Sequence, residues 1–200
     1  MIYYLYMAAC FMIPNIIWQI INRKKMSGDG NAPLHLLWSY IFMAYCAGAL
    51  FVANAGTLWD LIHYRVIIGG INLVPFVRGS LITHILNIVM FMPFGFMLPL
   101  IWDYYRDMKR TLMAAFAFSF LIETAQVFNH RLSDVADLLM NTLGACVGYM
   151  LWTLFSRKFQ KIGKKTKIFS NAEPVVYILL GFVGVFLLFH WRLLHRMTCF

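Results

Sequence analysis

The sequence predicts an all-α membrane protein with about six transmembrane helices. Of its 200 residues, 62% are hydrophobic and only 12% are charged, a composition typical of multi-span membrane proteins and not of soluble domains. The 17 lysines and arginines lie between the apolar runs. We therefore interpret the net charge of +9 as a set of topology signals and expect no nucleic-acid partner.

The first two apolar runs predict an N-terminal transmembrane hairpin over residues 1–57. Span one covers about residues 2–21 and span two about residues 34–55. No basic segment precedes the first run, and no small-residue cleavage site occurs before Asn22. We expect this run to be retained as a span and not removed as a signal peptide.

The remaining chain divides into a core at residues 58–156 and a C-terminal part at residues 157–200. Charged residues, glycines and prolines interrupt residues 58–81, which predicts an interfacial or partly re-entrant loop. Spans three, four and five cover about residues 82–102, 111–128 and 135–155. Pro93, Gly95 and Pro99 predict a kink in span three. A basic loop and a sixth span, at about residues 174–194, follow.

Polar residues at helical spacing within spans four and five predict a functional site. Glu123 and Gln126 lie near the end of span four, and Asp134, Asp137 and Asn141 lie at the start of span five. Residues three and four apart share a helix face. Counting outward from the turn between the spans places Glu123 level with about residue 138. Carboxylates at this depth are costly unless they are paired, protonated or hydrated, which favours a functional role.

Further polar residues extend this set towards one outward-facing cavity. Asn87 lies at a similar depth in span three, and Arg78 precedes that span on the same side. Arg131 lies in the turn between spans four and five, where its guanidinium is suited to an anionic group. The predicted ligand-binding residues are Asn87, Arg78, Glu123, Gln126, Arg131, Asp134, Asp137 and Asn141.

These residues also have structural interpretations. Ser133 or Asp134 would cap span five, and Arg131 would neutralise a neighbouring acid. Gly144 and Gly148 fit close helix packing. The three acids hold enough oxygen atoms for a divalent cation, but the sequence has no HExxH, Walker, GxSxG or GxGxxG motif. We expect neither a metal nor a cofactor, and we interpret the four scattered cysteines as buried apolar residues.

Three stretches in this order resemble the VanZ-like family of bacterial membrane proteins. They are INLVPF at residues 71–76, NIVMFMPFG at residues 87–95 and ETAQVFNHRLSDVADLLMNTLGACVG at residues 123–148. The resemblance covers about residues 72–149 and gives no support to spans one, two and six. It implies a small polytopic protein linked to low-level resistance to the glycopeptide teicoplanin. The motif positions that it implies are Asn87, Pro93, Gly95, Glu123, Gln126, Arg131, Asp134, Asp137, Asn141 and Gly144.

Two functions are consistent with these residues. The first is a non-enzymatic protein whose cavity binds a membrane lipid, a lipid-linked envelope molecule or a lipoglycopeptide antibiotic. Arg131 would bind an anionic group, and the acids would bind amine or hydroxyl groups. The alternative is an intramembrane enzyme acting on a lipid-linked envelope precursor, with Glu123 or Asp137 as general base. The sequence contains no recognisable nucleophile or metal constellation, which favours the first function.

The distribution of basic residues predicts the orientation of the chain in the cell membrane. Twelve of the 17 Lys and Arg residues lie in the loops that follow spans one, three and five, and loops rich in these residues stay cytoplasmic. Both termini and the turn at residues 130–131 are therefore predicted to be outside. In a protein whose Cys199 is replaced by serine, a cysteine replacing His130 should react with a membrane-impermeant thiol reagent in intact cells, whereas a cysteine replacing Lys161 should not. The reverse labelling pattern would contradict this orientation.

Overall fold

The computed structural model describes residues 1–22, 32–64, 71–72, 74–76, 80–129, 133–159 and 171–198. The elements in chain order are α1 (Ile2–Ile21), α2 (Ala32–Val52), α3 (Leu58–Tyr64), β1 (Ile71–Asn72), α4 (Leu81–Ile101), a 3-10 helix (Asp103–Arg106), α5 (Met108–Val127), β2 (Ser133–Asp134), α6 (Val135–Phe159), α7 (Glu173–Leu188) and α8 (Trp191–Thr198).

The predicted all-α membrane architecture is confirmed. Helices occupy all six positions where spans were predicted, and the two strands in the described part of the chain are only two residues long each. Within the described residues, four helices are long and apolar enough to cross a membrane, namely α1, α2, α4 and α6. Helix α5 has 20 residues but contains Lys109, Arg110 and Glu123, and α7 is apolar but has only 16 residues.

Contacts between helix ends show that the six long helices alternate in direction. The Gly56 N–H donates to the Ala125 carbonyl over 3.2 Å, which joins the ends of α2 and α5. The Tyr6 hydroxyl donates to the Leu188 carbonyl over 2.7 Å, which joins the start of α1 to the end of α7. The starts of α4 and α6 lie at this same end, which we call the N-terminal end. At the other end of the bundle lie the C-terminal ends of α1 and α4 and the N-terminal ends of α2 and α7.

Helices α4 and α6 pack with their backbones in direct contact, and glycines make this possible. A Cβ atom at Gly95 would lie 1.9 Å from the Ala145 carbonyl oxygen, and one at Gly148 would lie 1.9 Å from the Met92 carbonyl oxygen. Gly144 meets α4 in the same way. These distances leave no room for any side chain, so the predicted packing role of Gly144 and Gly148 is confirmed.

An aromatic core joins this helix pair to α2 and α5. The Phe94 ring stacks on Phe118 of α5 with 5.3 Å between centroids, and it packs against Phe42 of α2 at 5.7 Å. All three side chains are at most 1% exposed.

Helix α4 continues without interruption through Pro93 and Pro99. Prolines in membrane helices are tolerated where neighbouring groups satisfy the freed carbonyls.

Helix α7 packs closely against α1 around a proline. Pro14 lies inside α1, and because it has no N–H the Cys10 carbonyl loses its intrahelical donor. A Cβ atom at Gly184 of α7 would lie 2.3 Å from that carbonyl oxygen, so only glycine allows this approach. The end of α7 therefore covers the gap that Pro14 leaves in the hydrogen bonds of α1.

The prediction that span six extends to about residue 194 is wrong at its C-terminal end. Helix α7 ends at Leu188, Phe189 is extended (φ −77°, ψ 96°), and α8 is a separate helix. The break is fixed by α3, whose Trp59 ring stacks on His190 at 4.4 Å. Helix α3 itself occupies residues 58–64 of the segment that was predicted to be a loop. Residues 65–70, 73 and 77–79 of that segment lie outside the described residues.

The cysteines follow the prediction where the structure describes them. Cys10 and Cys46 are buried with free thiols, and Cys146 is a half-buried free thiol. Cys199 lies outside the described residues. The structure thus gives the described cysteines a packing role only.

Replacing Gly148 with alanine should destabilise the fold. The added methyl group would overlap the Met92 carbonyl at 1.9 Å, and separating two packed backbones should cost about 2 kcal/mol or more. The temperature at which half of the detergent-solubilised protein loses its monodisperse elution peak measures this loss. Gly48→Ala is the matched control, because its methyl group would meet only the Tyr4 side chain, at 3.7 Å. Equal effects of the two substitutions would contradict the packing account.

Candidate ligand-binding site

Five polar side chains come together at the N-terminal end, where α4, α5 and α6 meet β1 and β2. They are Asn72, Asn87, Glu123, Asp134 and Asp137, and we call them the polar cluster. Glu123 is 8% exposed, and the other four are half-buried. The cluster therefore lies within the helical bundle and not on its open surface.

Asp134 is the centre of the cluster, because three elements bond to it. Its Oδ1 accepts the Ala136 N–H over 2.8 Å, which caps α6 as predicted. Its Oδ2 accepts the side-chain amide of Asn72 over 3.1 Å. Its own backbone N–H donates to Glu123 Oε2 over 3.1 Å, which ties the start of α6 to α5.

The two short strands fix the segment before α4 beside the start of α6. They pair in parallel, with Ile71 opposite Ser133 and Asn72 opposite Asp134. The Asn72 Oδ1 also accepts the Val74 N–H over 3.3 Å. Asn72 was not among the predicted ligand-binding residues, although it lies in the INLVPF stretch that carried part of the family resemblance.

Asn87 and Asp137 connect α4 to α6 directly. The Asn87 amide donates to Asp137 Oδ1 over 2.6 Å. The two residues lie just outside the stretch where Gly144 and Ile88 hold the helices in backbone contact. The close packing thus brings this pair within bonding distance.

The register of α5 against α6 agrees with the counting argument to within one residue. The Asn141 amide donates to Ser119 Oγ over 2.8 Å, one helical turn deeper than the cluster. Glu123 lies four residues beyond Ser119, and Asp137 lies four residues before Asn141, so these two acids lie at one level. The sequence had placed Glu123 level with about residue 138.

Asn141 adds a buried polar atom beneath the cluster. Its side chain is 2% exposed, and among the described residues its Oδ1 has no hydrogen-bond partner. Its partner Ser119 was missed by the sequence reasoning. The four-residue spacing between Ser119 and Glu123, which places both on one face of α5, could have indicated it.

The other predicted residues lie elsewhere or cannot be placed. The Gln126 amide donates to the Ala53 carbonyl over 2.7 Å, so this side chain holds the end of α2. No described hydrogen bond connects it to the three acids. Arg78 and Arg131 lie outside the described residues.

The described bonds determine what the cluster can do chemically. The donors to Glu123, Asp134 and Asp137 in these bonds are backbone or side-chain N–H groups, so the carboxyl groups act as acceptors. Such an arrangement is suited to ligand groups that donate, such as ammonium or hydroxyl groups. Within the part of the chain that the structure describes, no three His, Cys, Asp or Glu residues are arranged to hold a metal ion.

Comparison with known protein families identifies the chain. A model of the VanZ/LLP1 family matches residues 2–156. The chain belongs to the VanZ/LLP1 family. The match includes α1 and α2, so the expectation that spans one and two have no family support is wrong. Helices α7 and α8 lie beyond the matched residues. No curated protein and no solved structure matches the chain.

The bond between Asn87 and Asp137 should be measurable as an energetic coupling in this VanZ/LLP1 family protein. We expect Asn87→Ala and Asp137→Ala to destabilise the protein less together than the sum of their separate effects, by about 1–2 kcal/mol. The reason is that either substitution alone removes the same bond. Thermal denaturation in detergent of the two single variants and the double variant gives this coupling. Additive effects would show that the bond contributes nothing to stability.

Proposed function

We propose that this VanZ/LLP1 family protein binds an amphipathic or lipid-linked ligand at the outer leaflet of the bacterial cell membrane and thereby confers resistance to teicoplanin. The observation that supports this proposal is the convergence of three acids and two amides, from α4, α5, α6, β1 and β2, at one end of the bundle. Carboxylates held inside an apolar bundle are costly, so their retention favours a functional role.

The surroundings of the cluster support a ligand with both polar and apolar parts. On α4, close to Asn87, Ile82 is 69% exposed and Leu86 is 60% exposed. A ligand whose polar head lies on the cluster can place its apolar part along this face of the helix. The carboxylates would bind ammonium or hydroxyl groups, and Arg131, which precedes β2 in the sequence, would bind an anionic group.

The proposed orientation places the cluster towards the outer leaflet. The basic residues Arg106, Lys109 and Arg110 lie at the opposite end of the bundle from the cluster, and such residues favour the cytoplasmic side. Trp59 and Trp191 lie at the cluster end, as expected for tryptophans at a membrane interface. Both termini would then be outside.

Binding is favoured over catalysis by the way the acids are held. Glu123 accepts a backbone N–H and Asp137 accepts a side-chain amide, so both carboxyl groups are held in fixed positions. No serine or cysteine nucleophile and no metal-binding group of His, Cys, Asp or Glu accompanies them among the described contacts. The cluster is therefore better suited to recognising a ligand than to removing a proton.

Resistance measurements test the proposal. Cells producing the Glu123→Gln, Asp137→Asn or Arg131→Ala variant should fall to the teicoplanin susceptibility of cells without the protein, because each substitution removes a charge proposed to bind the ligand. Asp103→Asn is the matched control for Asp137→Asn, since Asp103 is an exposed carboxylate at the opposite end of the bundle. That variant should keep the resistance of the wild type. Full resistance of the three cluster variants, at protein levels equal to wild type, would refute the proposal.

A further inference from the structure

A second buried polar network surrounds Glu173 at the end of the bundle opposite the polar cluster. Glu173 begins α7 and is only 2% exposed. Both of its oxygens lie within hydrogen-bonding distance of His35 Nε2, at 3.1 and 3.0 Å. Oε2 also accepts the Trp102 indole N–H over 2.7 Å, and Oε1 accepts the Tyr177 hydroxyl over 2.6 Å.

A further series of hydrogen bonds, from Tyr40 through Gln19 to Tyr177, donates in the direction of the Glu173 carboxylate. The Tyr177 oxygen accepts the Gln19 amide over 2.7 Å, so its own proton is directed to Glu173. The Gln19 carbonyl oxygen in turn accepts the Tyr40 hydroxyl over 2.7 Å. Trp102 can only donate. The Trp102 indole and the Tyr177 hydroxyl therefore both direct a hydrogen to the Glu173 carboxyl oxygens.

This network crosses the boundary of the family match. Gln19 of α1, His35 of α2 and Trp102 at the end of α4 lie within residues 2–156, whereas Glu173 and Tyr177 lie beyond them. Every direct bond from the matched region to the Glu173 carboxylate therefore holds α7 against the part of the chain common to the family.

Other contacts of α7 involve its backbone carbonyls and its glycines. At its far end, Trp59 and Tyr6 donate to the carbonyls of Leu187 and Leu188, which any helix would supply. Along its length, α7 packs on α1 through small residues, and lipid provides no hydrophobic force that would drive two apolar helices together. Glu173 is the acidic residue through which α7 itself is bonded. The following helix α8 adds the Trp191 indole N–H, which donates to Asp60 Oδ1 over 3.1 Å, and an ion pair of Arg192 with Asp60 at 4.0 Å.

We propose that His35, Trp102 and Gln19 of the family-matched region form a docking site for the Glu173 carboxylate. Helix α7 is a separable helix that Glu173 holds in this site. Replacing Glu173 with glutamine leaves the side chain its size but removes its charge. The amide group also brings two hydrogens among groups that already donate. Docking should then weaken, while the rest of the bundle stays folded.

Cutting the chain between α6 and α7 tests whether Glu173 holds α7 against the rest of the bundle. A protease site inserted between Lys164 and Lys165 of the full-length, N-terminally tagged protein would be cleaved after purification in mild detergent. The rate at which the C-terminal fragment leaves the tagged fragment is then measured. We expect the wild-type fragments to stay together and Glu173→Gln to release the C-terminal fragment about 100-fold faster, as for a buried pair that loses one partner.

Two further variants sharpen the result. Glu123→Gln is the matched control, since it makes the same substitution at the other end of the bundle, and it should release the fragment at the wild-type rate. Tyr177→Phe removes one donor and the partner of Gln19, so its release rate should lie between those of the wild type and Glu173→Gln. Release from Glu173→Gln at the wild-type rate would overturn the proposal. Aggregation of the tagged fragment of Glu173→Gln on size exclusion would also overturn it, because α7 would then not be separable.

Discussion

The backbone contact between α4 and α6 is the constraint on which the rest of the structure depends. At Gly95, Gly144 and Gly148 no side chain separates the two helix backbones. Dispersion forces and close approach replace the hydrophobic effect that would drive packing in water. The same contact sets the distance between Asn87 and Asp137. The geometry of the candidate site is thus a consequence of packing that involves none of its polar residues.

Glu123 and Glu173 are both held by hydrogen-bond donors inside the bundle, but their surroundings differ. Glu123 and Glu173 are both nearly buried, and both accept bonds from fixed N–H or O–H donors, as burial of a charge demands. Around Glu173, three side chains contact the carboxylate, and the network continues from Tyr177 to Gln19. Around Glu123, one described donor is a backbone group and the neighbouring acids are half-buried. This more open arrangement is the one suited to a ligand.

Hydropathy was enough to locate the six long helices, and counting from a turn set α5 against α6 to within one residue, because both depend only on local periodicity. The orientation of Gln126 was not predictable, since the side chain bonds to a carbonyl of α2 that no spacing within α5 reveals. The pairing of His35 with Glu173 joins residues 138 positions apart. Hydropathy also did not reveal the end of α7, because apolar residues continue past the extended Phe189. In each case tertiary contacts, and not local pattern, decided the outcome.

The proline in α1 makes two distant parts of the chain mutually dependent. Pro14 leaves the Cys10 carbonyl without its helical donor, and Gly184 of α7 lies against that oxygen. Without α7, this carbonyl would face hydrocarbon, where an unpaired polar group is strongly unfavourable. A shortened chain that ends after α6 should therefore tolerate alanine at position 14 better than proline. The residue preferred at position 14 of α1 thus depends on α7, which begins more than 150 positions later.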